Sequence, residues 1–157
     1  MPEPIEYRIV QSLQTALRGI AIANGYHHDV AVLAVKLDAN SAVEDLIGDE
    51  ARRPFFILEL TKDAFIYQPA GRARIQMPAI IHAVHESDPT EDESWVRTYY
   101  RLCADIERAV ALDLTRGGFA IDTRVLSRTF QTFNGAQVWA MVETSISLIR
   151  IYGEPDV

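Results

Sequence analysis

Cysteine is almost missing from this chain of 157 residues. Cys103 stands alone, which excludes an intramolecular disulfide and any thiolate metal cluster. Basic residues are short too: 15 Lys and Arg against 22 Asp and Glu leave a net charge of −7. Proteins that grip phosphates show the opposite balance, with Lys and Arg clustered and in surplus. No stretch reaches the roughly 18 apolar residues of a membrane span. The start Met1-Pro2-Glu3-Pro4 lacks the basic entry and apolar middle of a secretory signal. These absences lead us to expect a protein made and used in a cytoplasm, without a membrane and without specific hold on nucleic acid.

What is present suits a folded domain. Hydrophobic residues make up 48% and charged residues 24% of the chain, and its length allows one domain with a proper core. Residues 5–24 place Ile5, Ile9, Leu13, Ala16, Leu17 and Ile20 at helical spacing, with Pro4 at the start and Asn24-Gly25 at the stop. Residues 30–37 and 55–61 are strand-like, the second opened by Pro54. Residues 38–53 are polar and acidic and read as a loop. So do residues 62–74, which carry the turn signal Gln68-Pro69-Ala70-Gly71. Residues 75–85 form a third strand with Ile75, Met77, Ala79, Ile81 and Ala83 on one side; Pro78 predicts an edge position or a bulge.

An acidic turn then leads to a second helix with the stripe Trp95, Tyr99, Leu102, Ile106 and Ala109, and with Glu93–Arg97 and Arg101–Asp105 spaced for surface ion pairs. After the break Arg116-Gly117-Gly118 come two long strands, residues 121–133 and 136–152, joined at Asn134-Gly135. Asn-Gly suits a two-residue type I′ hairpin turn, which would pair Phe133 with Ala136. The predicted architecture is α+β: one domain over residues 1–157, a mainly antiparallel sheet of about five strands, two principal helices packed on it, and a long C-terminal hairpin.

Few residues suggest catalysis. His27-His28-Asp29 invites a metal or acid–base reading, but adjacent histidines on a strand point to opposite faces. His82 and His85, three apart, likewise diverge on a strand. Glu44, Asp45, Asp49 and Glu50 lack the ligand spacing and central glycine of a calcium loop. No Gly-x-Ser-x-Gly elbow occurs, and Arg116-Gly117-Gly118 follows a helix instead of opening one, so it makes no phosphate cradle. Cys103, Trp95 and Tyr99 read as core. We therefore expect no enzyme, cofactor or metal. The hairpin offers surface instead. With the two-residue turn, Arg128, Phe130, Phe133, Trp139 and Met141 gather at an aromatic tip, with Phe130, Trp139 and Met141 on its outward face, a composition typical of interface hot spots.

The layout of the whole chain resembles the tail-terminator, or tail-completion, family of tailed phages, related to minor tail protein U of lambda-like phages. The resemblance is carried by several segments. They are the N-terminal helix around Arg8-Ile9-Val10 with Leu13, Leu17 and Ile20, the Gly25-Tyr26 break, and the Asp29-Val30 strand entry. The later ones are the helix Leu102-Cys103-Ala104-Asp105-Ile106-Glu107-Arg108-Ala109, the glycine-rich break, and the ending Ile149-Arg150-Ile151-Tyr152.

The resemblance implies a virion protein of the tail or neck, assembled in the host cytoplasm. It would form a ring, commonly a hexamer, on the head-proximal end of the tail tube, stop tube polymerisation, and present a surface to a head-side connector or neck protein. It implies no catalytic residues. DNA would pass without specific binding, as an acidic ring allows. The hairpin tip becomes a subunit contact, and Arg52, Arg53, Arg72 and Arg74, flanking the two loops, become contacts to tube or neck. Two alternatives stand beside this reading: a head–tail connector or stopper, and a small metal-dependent cytoplasmic enzyme on His27, His28 and Asp29. Whether a contractile sheath is also bound stays open.

Overall fold

A computed structural model describes residues 2–36, 54–88, 90–133 and 137–153, with the side chains of Thr132 and Phe133 outside that description. The Asn134-Gly135 turn, the acidic loop at 38–53 with Glu44, Asp45, Asp49 and Glu50, and Arg52 and Arg53 lie outside the described residues.

The N-terminal stripe does form a helix, α1 (Ile5–Arg18), which buries Ile9, Val10, Leu13 and Leu17. It ends sooner than periodicity predicts. Ile22–Asn24 is a separate 3-10 turn closed by Gly25 at φ 84. Glycine suits this position in space as well as in φ: a Cβ on Gly25 would stand 3.2 Å from the Arg108 guanidinium. That guanidinium donates to the Gly25 carbonyl and lies over the Tyr26 ring at 4.9 Å.

The second helix, α2 (Ser94–Ala111), buries Tyr99, Leu102, Cys103, Ile106, Ala109 and Val110, as its stripe predicts. Its two predicted surface ion pairs do not form. Arg97 pairs with Glu91 at 2.6 Å, and Asp105 points inward with 1% exposure.

Among the described residues six strands make one sheet: β1 (Val32–Lys36), β2 (Phe55–Leu60), β3 (Ala64–Gln68), β4 (Arg72–Glu86), β5 (Asp122–Phe133) and β6 (Gln137–Ile151). The order is β1-β2-β4-β6-β5, with β3 beside β4. Only β1 and β2 run parallel. The domain is thus α+β, with a mostly antiparallel sheet and a C-terminal hairpin. Alternation places Ile75, Met77, Ala79, Ile81 and Ala83 of β4 beside Val138, Val142, Ile146 and Leu148 of β6 in one core with α1 and α2. A smaller cluster, Phe55, Ile57, Val84 and Trp139, occupies the opposite face.

Two expectations about the sheet are corrected. Residues 62–74 are not a loop; they form the β3–β4 hairpin, with Gln68 paired to Arg72 and Ala70 and Gly71 both at positive φ in the turn. Pro78 sits neither at an edge nor at a bulge. It lies inside β4, the most connected strand, where β2 has ended at Leu60 opposite Ala79 and β3 begins at Ala64 opposite Gln76. In that gap its carbonyl accepts from the Thr61 hydroxyl at 3.3 Å, and no ladder partner requires the N–H that proline lacks.

The C-terminal hairpin is corrected in register. A two-residue turn predicts Phe130 opposite Trp139, whereas the ladder pairs Phe133 with Gln137 and Phe130 with Ala140. A β-bulge between Val125 and Ser127 absorbs the one-residue difference. Below it Val125 pairs with Thr144 and Asp122 with Ser147, as the two-residue turn predicts. One slip therefore exchanges the faces of β5 at the tip and keeps the expected pairing at the base, where Ile121 and Val125 nevertheless stay exposed instead of joining the core with Val142 and Ile146.

Candidate functional site

The exchanged register divides the predicted interface set between two faces of the sheet. Phe130 turns to the helix side and packs on Trp95 and Tyr99 of α2, with ring centroids 5.0 and 5.1 Å away. Arg128 joins it there, 5.7 Å over the Tyr100 ring and 3.4 Å from Glu107. Trp139 and Met141 face the other way, into the small second core, and Trp139 is only 6% exposed. The predicted common outward face of Phe130 and Trp139 does not exist, and a buried Trp139 offers nothing to a neighbour.

What remains near α2 is a surface patch. Trp95, Tyr100 and Phe130 are all exposed, and aromatic contacts through Tyr99 and between Trp95 and Phe130 hold the rings together. Trp95, predicted as core, sits at the rim of this patch.

A second patch lies on the β3–β4 hairpin, which sequence reasoning read as loop. Every residue of β3 is exposed, including Phe65, Ile66 and Tyr67, the last at 73%. Phe65 stacks on Tyr67 and Tyr67 on Tyr152, with centroids 6.4 and 6.3 Å apart. The short aromatic and β-branched run Phe65-Ile66-Tyr67 beside the Gln68–Gly71 turn was the available signal. Because facing residues share a side, Ile66, Arg74 and Ile149 present the face away from the helices, and Arg72 and Arg74 are exposed there. Arg74 and Arg124 border a shallow cavity of about 440 Å3 on this face, with Arg124 held at 2.5 Å by Asp122.

The histidines separate by role. His82 and His85 diverge, as strand geometry requires. His82 is buried: its Nδ1 accepts the Trp139 indole N–H at 2.8 Å, and its Nε2 faces Glu59 at 2.7 Å. Burial lowers its pKa below the usual value, against the opposing pull of Glu59. His28 meets Asp105 through its Nδ1, and its ring stands edge-on to His27 at 6.5 Å. The Asp105 carboxylate accepts the backbone N–H of His27 at 2.9 Å and of His28 at 3.0 Å, and its Oδ2 lies 2.8 Å from His28 Nδ1. The ring of His85 stands edge-on to His28 at 5.1 Å. Asp29 lines the same shallow pocket as His27, His28 and His85 and accepts from the Ile22 N–H at 2.7 Å.

Among the described residues no group of three or more His, Cys, Asp or Glu is placed to hold a metal. Asp105 accordingly reads as the clamp that fastens the segment before β1 to α2. Cys103 is buried and its thiol pKa is pushed up to about 11, so it stays protonated and inert. No described helix is long and apolar enough to cross a membrane. No protein-family model matches the chain, and no curated protein matches it.

Proposed function

We propose that this protein is a ring-forming structural subunit of a phage tail, acting as a tail terminator that caps the tube and meets a neck protein. One observation supports the assembly part above all: the domain carries two different exposed aromatic patches far apart on one sheet. The β3 patch lies beside Ala73 on β4, whereas Phe130 aligns through Ala140 with Ala83 on the same strand. At about 3.3 Å per residue, that separates the patches by roughly 30 Å. A head-to-tail ring needs two unlike, complementary patches on every subunit. Their aromatic and arginine content is that of interface hot spots.

The tail assignment itself rests on the resemblance in layout. The net charge of −7 suits a ring that lets DNA pass without retaining it. Arg72 and Arg74, exposed on the face away from the helices, are the arginines offered to an acidic tube or neck surface.

Electron micrographs of the purified protein, read with sedimentation velocity, test the proposal. Rings of uniform subunit number are expected. Tyr67→Ser and Phe130→Ser should each reduce them to smaller species while the circular dichroism of the fold is unchanged. A wild type that sediments as a monomer at every concentration, without rings in the images, sinks the assembly reading.

A further inference from the structure

Between α1 and the sheet lies a cavity of about 530 Å3, which the assembly reading does not use. Val10 and Leu13 of α1, Leu60 of β2 and Met77 of β4 give it apolar walls. Its volume falls within the usual range for small-molecule sites, about 300–1,000 Å3. Two carboxylates border this apolar space, Glu6 and Asp63. They are not equivalent. Glu6 has a counter-ion, because Arg150 Nη1 lies 2.7 Å from its Oε1. Asp63 has no cation within ion-pair distance among the described residues. Its pKa is raised, first by burial and then by the charge of Glu6. A half-buried carboxylate beside a second one and an apolar wall is costly, and a cation placed there would relieve the cost.

We propose that this cavity binds a ligand with an apolar body and a cationic head, an alkyl or aryl ammonium or the equivalent end of a lysine side chain, with Asp63 as its counter-ion. The apolar walls take the body and the carboxylate fixes the head. A neutral isostere leaves Asp63 desolvated and unpaired. An anion meets two negative charges. Selectivity therefore follows charge more than shape.

Nuclear magnetic resonance titration of the full chain tests this, with hexylammonium, hexanol and hexanoate as probes at constant ionic strength. Hexylammonium should shift the signals of Val10, Leu13 and Met77 and bind about tenfold or more tighter than hexanol, the scale of a charged hydrogen bond. Hexanoate should leave those signals in place. Asp63→Asn should weaken hexylammonium to the level of hexanol. Because it removes a repulsion with Glu6 and leaves the Glu6–Arg150 pair intact, it should not unfold the domain. The capped tripeptide acetyl-Leu-Lys-Leu-amide separates the two sources of the head. Tighter binding of the peptide assigns the cavity to a polypeptide segment, and tighter binding of the free amine to a small molecule. Absence of shifts at these residues, equal binding of hexanol and hexylammonium, or an Asp63→Asn variant that binds hexylammonium as wild type does would each overturn the proposal.

Discussion

Trp139 holds His82 in a single tautomer. An indole nitrogen can only donate, so His82 Nδ1, 2.8 Å away, must accept, and the ring proton resides on Nε2 facing Glu59. The chain Trp139–His82–Glu59 joins β6, β4 and β2 beneath the smaller apolar cluster. Replacing Trp139 with Phe keeps an aromatic ring but removes the donor, leaving Nδ1 buried and unsatisfied. We expect a loss of about 1–3 kcal/mol in chemical denaturation, the usual cost of such an orphan. A variant as stable as wild type would show that the bond carries no net stability.

The same network sets a pH dependence. His82 has its pKa lowered by burial from an ordinary value of 6.5. As pH falls through that value the unfolded chain takes up a proton that the folded chain refuses, so stability declines with it. The decline ends once pH passes below the folded pKa, where both states are protonated. Above about pH 7 neither state is protonated and the contribution is constant. Urea midpoints between about pH 7.5 and pH 5 should therefore drop for wild type and flatten for His82→Gln. Asp88, Asp113 and Asp122, with pKa values lowered mainly by hydrogen bonds from Thr90, Gly117 and Arg124 respectively, act only in the more acidic carboxylate range. An unchanged slope in His82→Gln would assign the dependence to other groups.

Asp105 provides a third prediction. One buried carboxylate oxygen takes the His27 N–H and the other takes the His28 N–H together with the His28 ring. In Asp105→Asn one of the two oxygens becomes an NH2 group facing a donor. The segment before β1 should loosen, with amide exchange of His27 and His28 accelerating more than that of the α2 core. Uniform acceleration across the domain would instead mark Asp105 as a determinant of global stability.

Arg116 is an oddity of energetics. It is fully buried at φ 50, with Nη2 donating to the Val110 carbonyl at 2.6 Å while Nε and Nη1 lack hydrogen-bond partners. Its pKa is lowered by burial, with the charge of Asp113 acting in opposition. Apolar residues of similar volume often replace such buried charges without loss, or with a gain of about 1–4 kcal/mol. Arg116→Met should raise the thermal midpoint and Arg116→Ala, which leaves a void, should lower it. A fall with Met would mean that the single bond to the end of α2 outweighs the desolvation.

How far the sequence alone reached can be traced to particular residues. Hydrophobic periodicity located both helices, the β4 core face and the core face of β6, because one buried stripe repeats over many residues there. It failed where a single residue breaks the repeat. The Leu126 bulge moved Phe130 and Arg128 to the helix side, and the gap between β2 and β3 let Pro78 sit in a central strand. Asp105 was misassigned for another reason: its i, i+4 spacing to Arg101 is visible locally, while its partners His27 and His28 are tertiary neighbours. The exposed β3 strand was hidden by its turn signal, which made the flanking residues look like loop.

The two exposed patches permit a test of how copies meet, beyond whether they meet. If assembly is head to tail, the β3 patch of one subunit contacts the Phe130 patch of the next, and each interface uses one of each. Tyr67→Ser damages the first patch and Phe130→Ser the second, so neither variant alone can assemble. Mixed together, the Tyr67→Ser chain still offers an intact Phe130 patch and the Phe130→Ser chain an intact β3 patch. These fit each other once and leave no further sites. Sedimentation of the equimolar mixture should therefore show a dimer that neither variant forms alone. Self-complementary contacts would behave differently, because each variant would dimerise through its surviving patch and mixing would add nothing. A mixture that sediments as the sum of its components excludes the head-to-tail arrangement, and with it the ring.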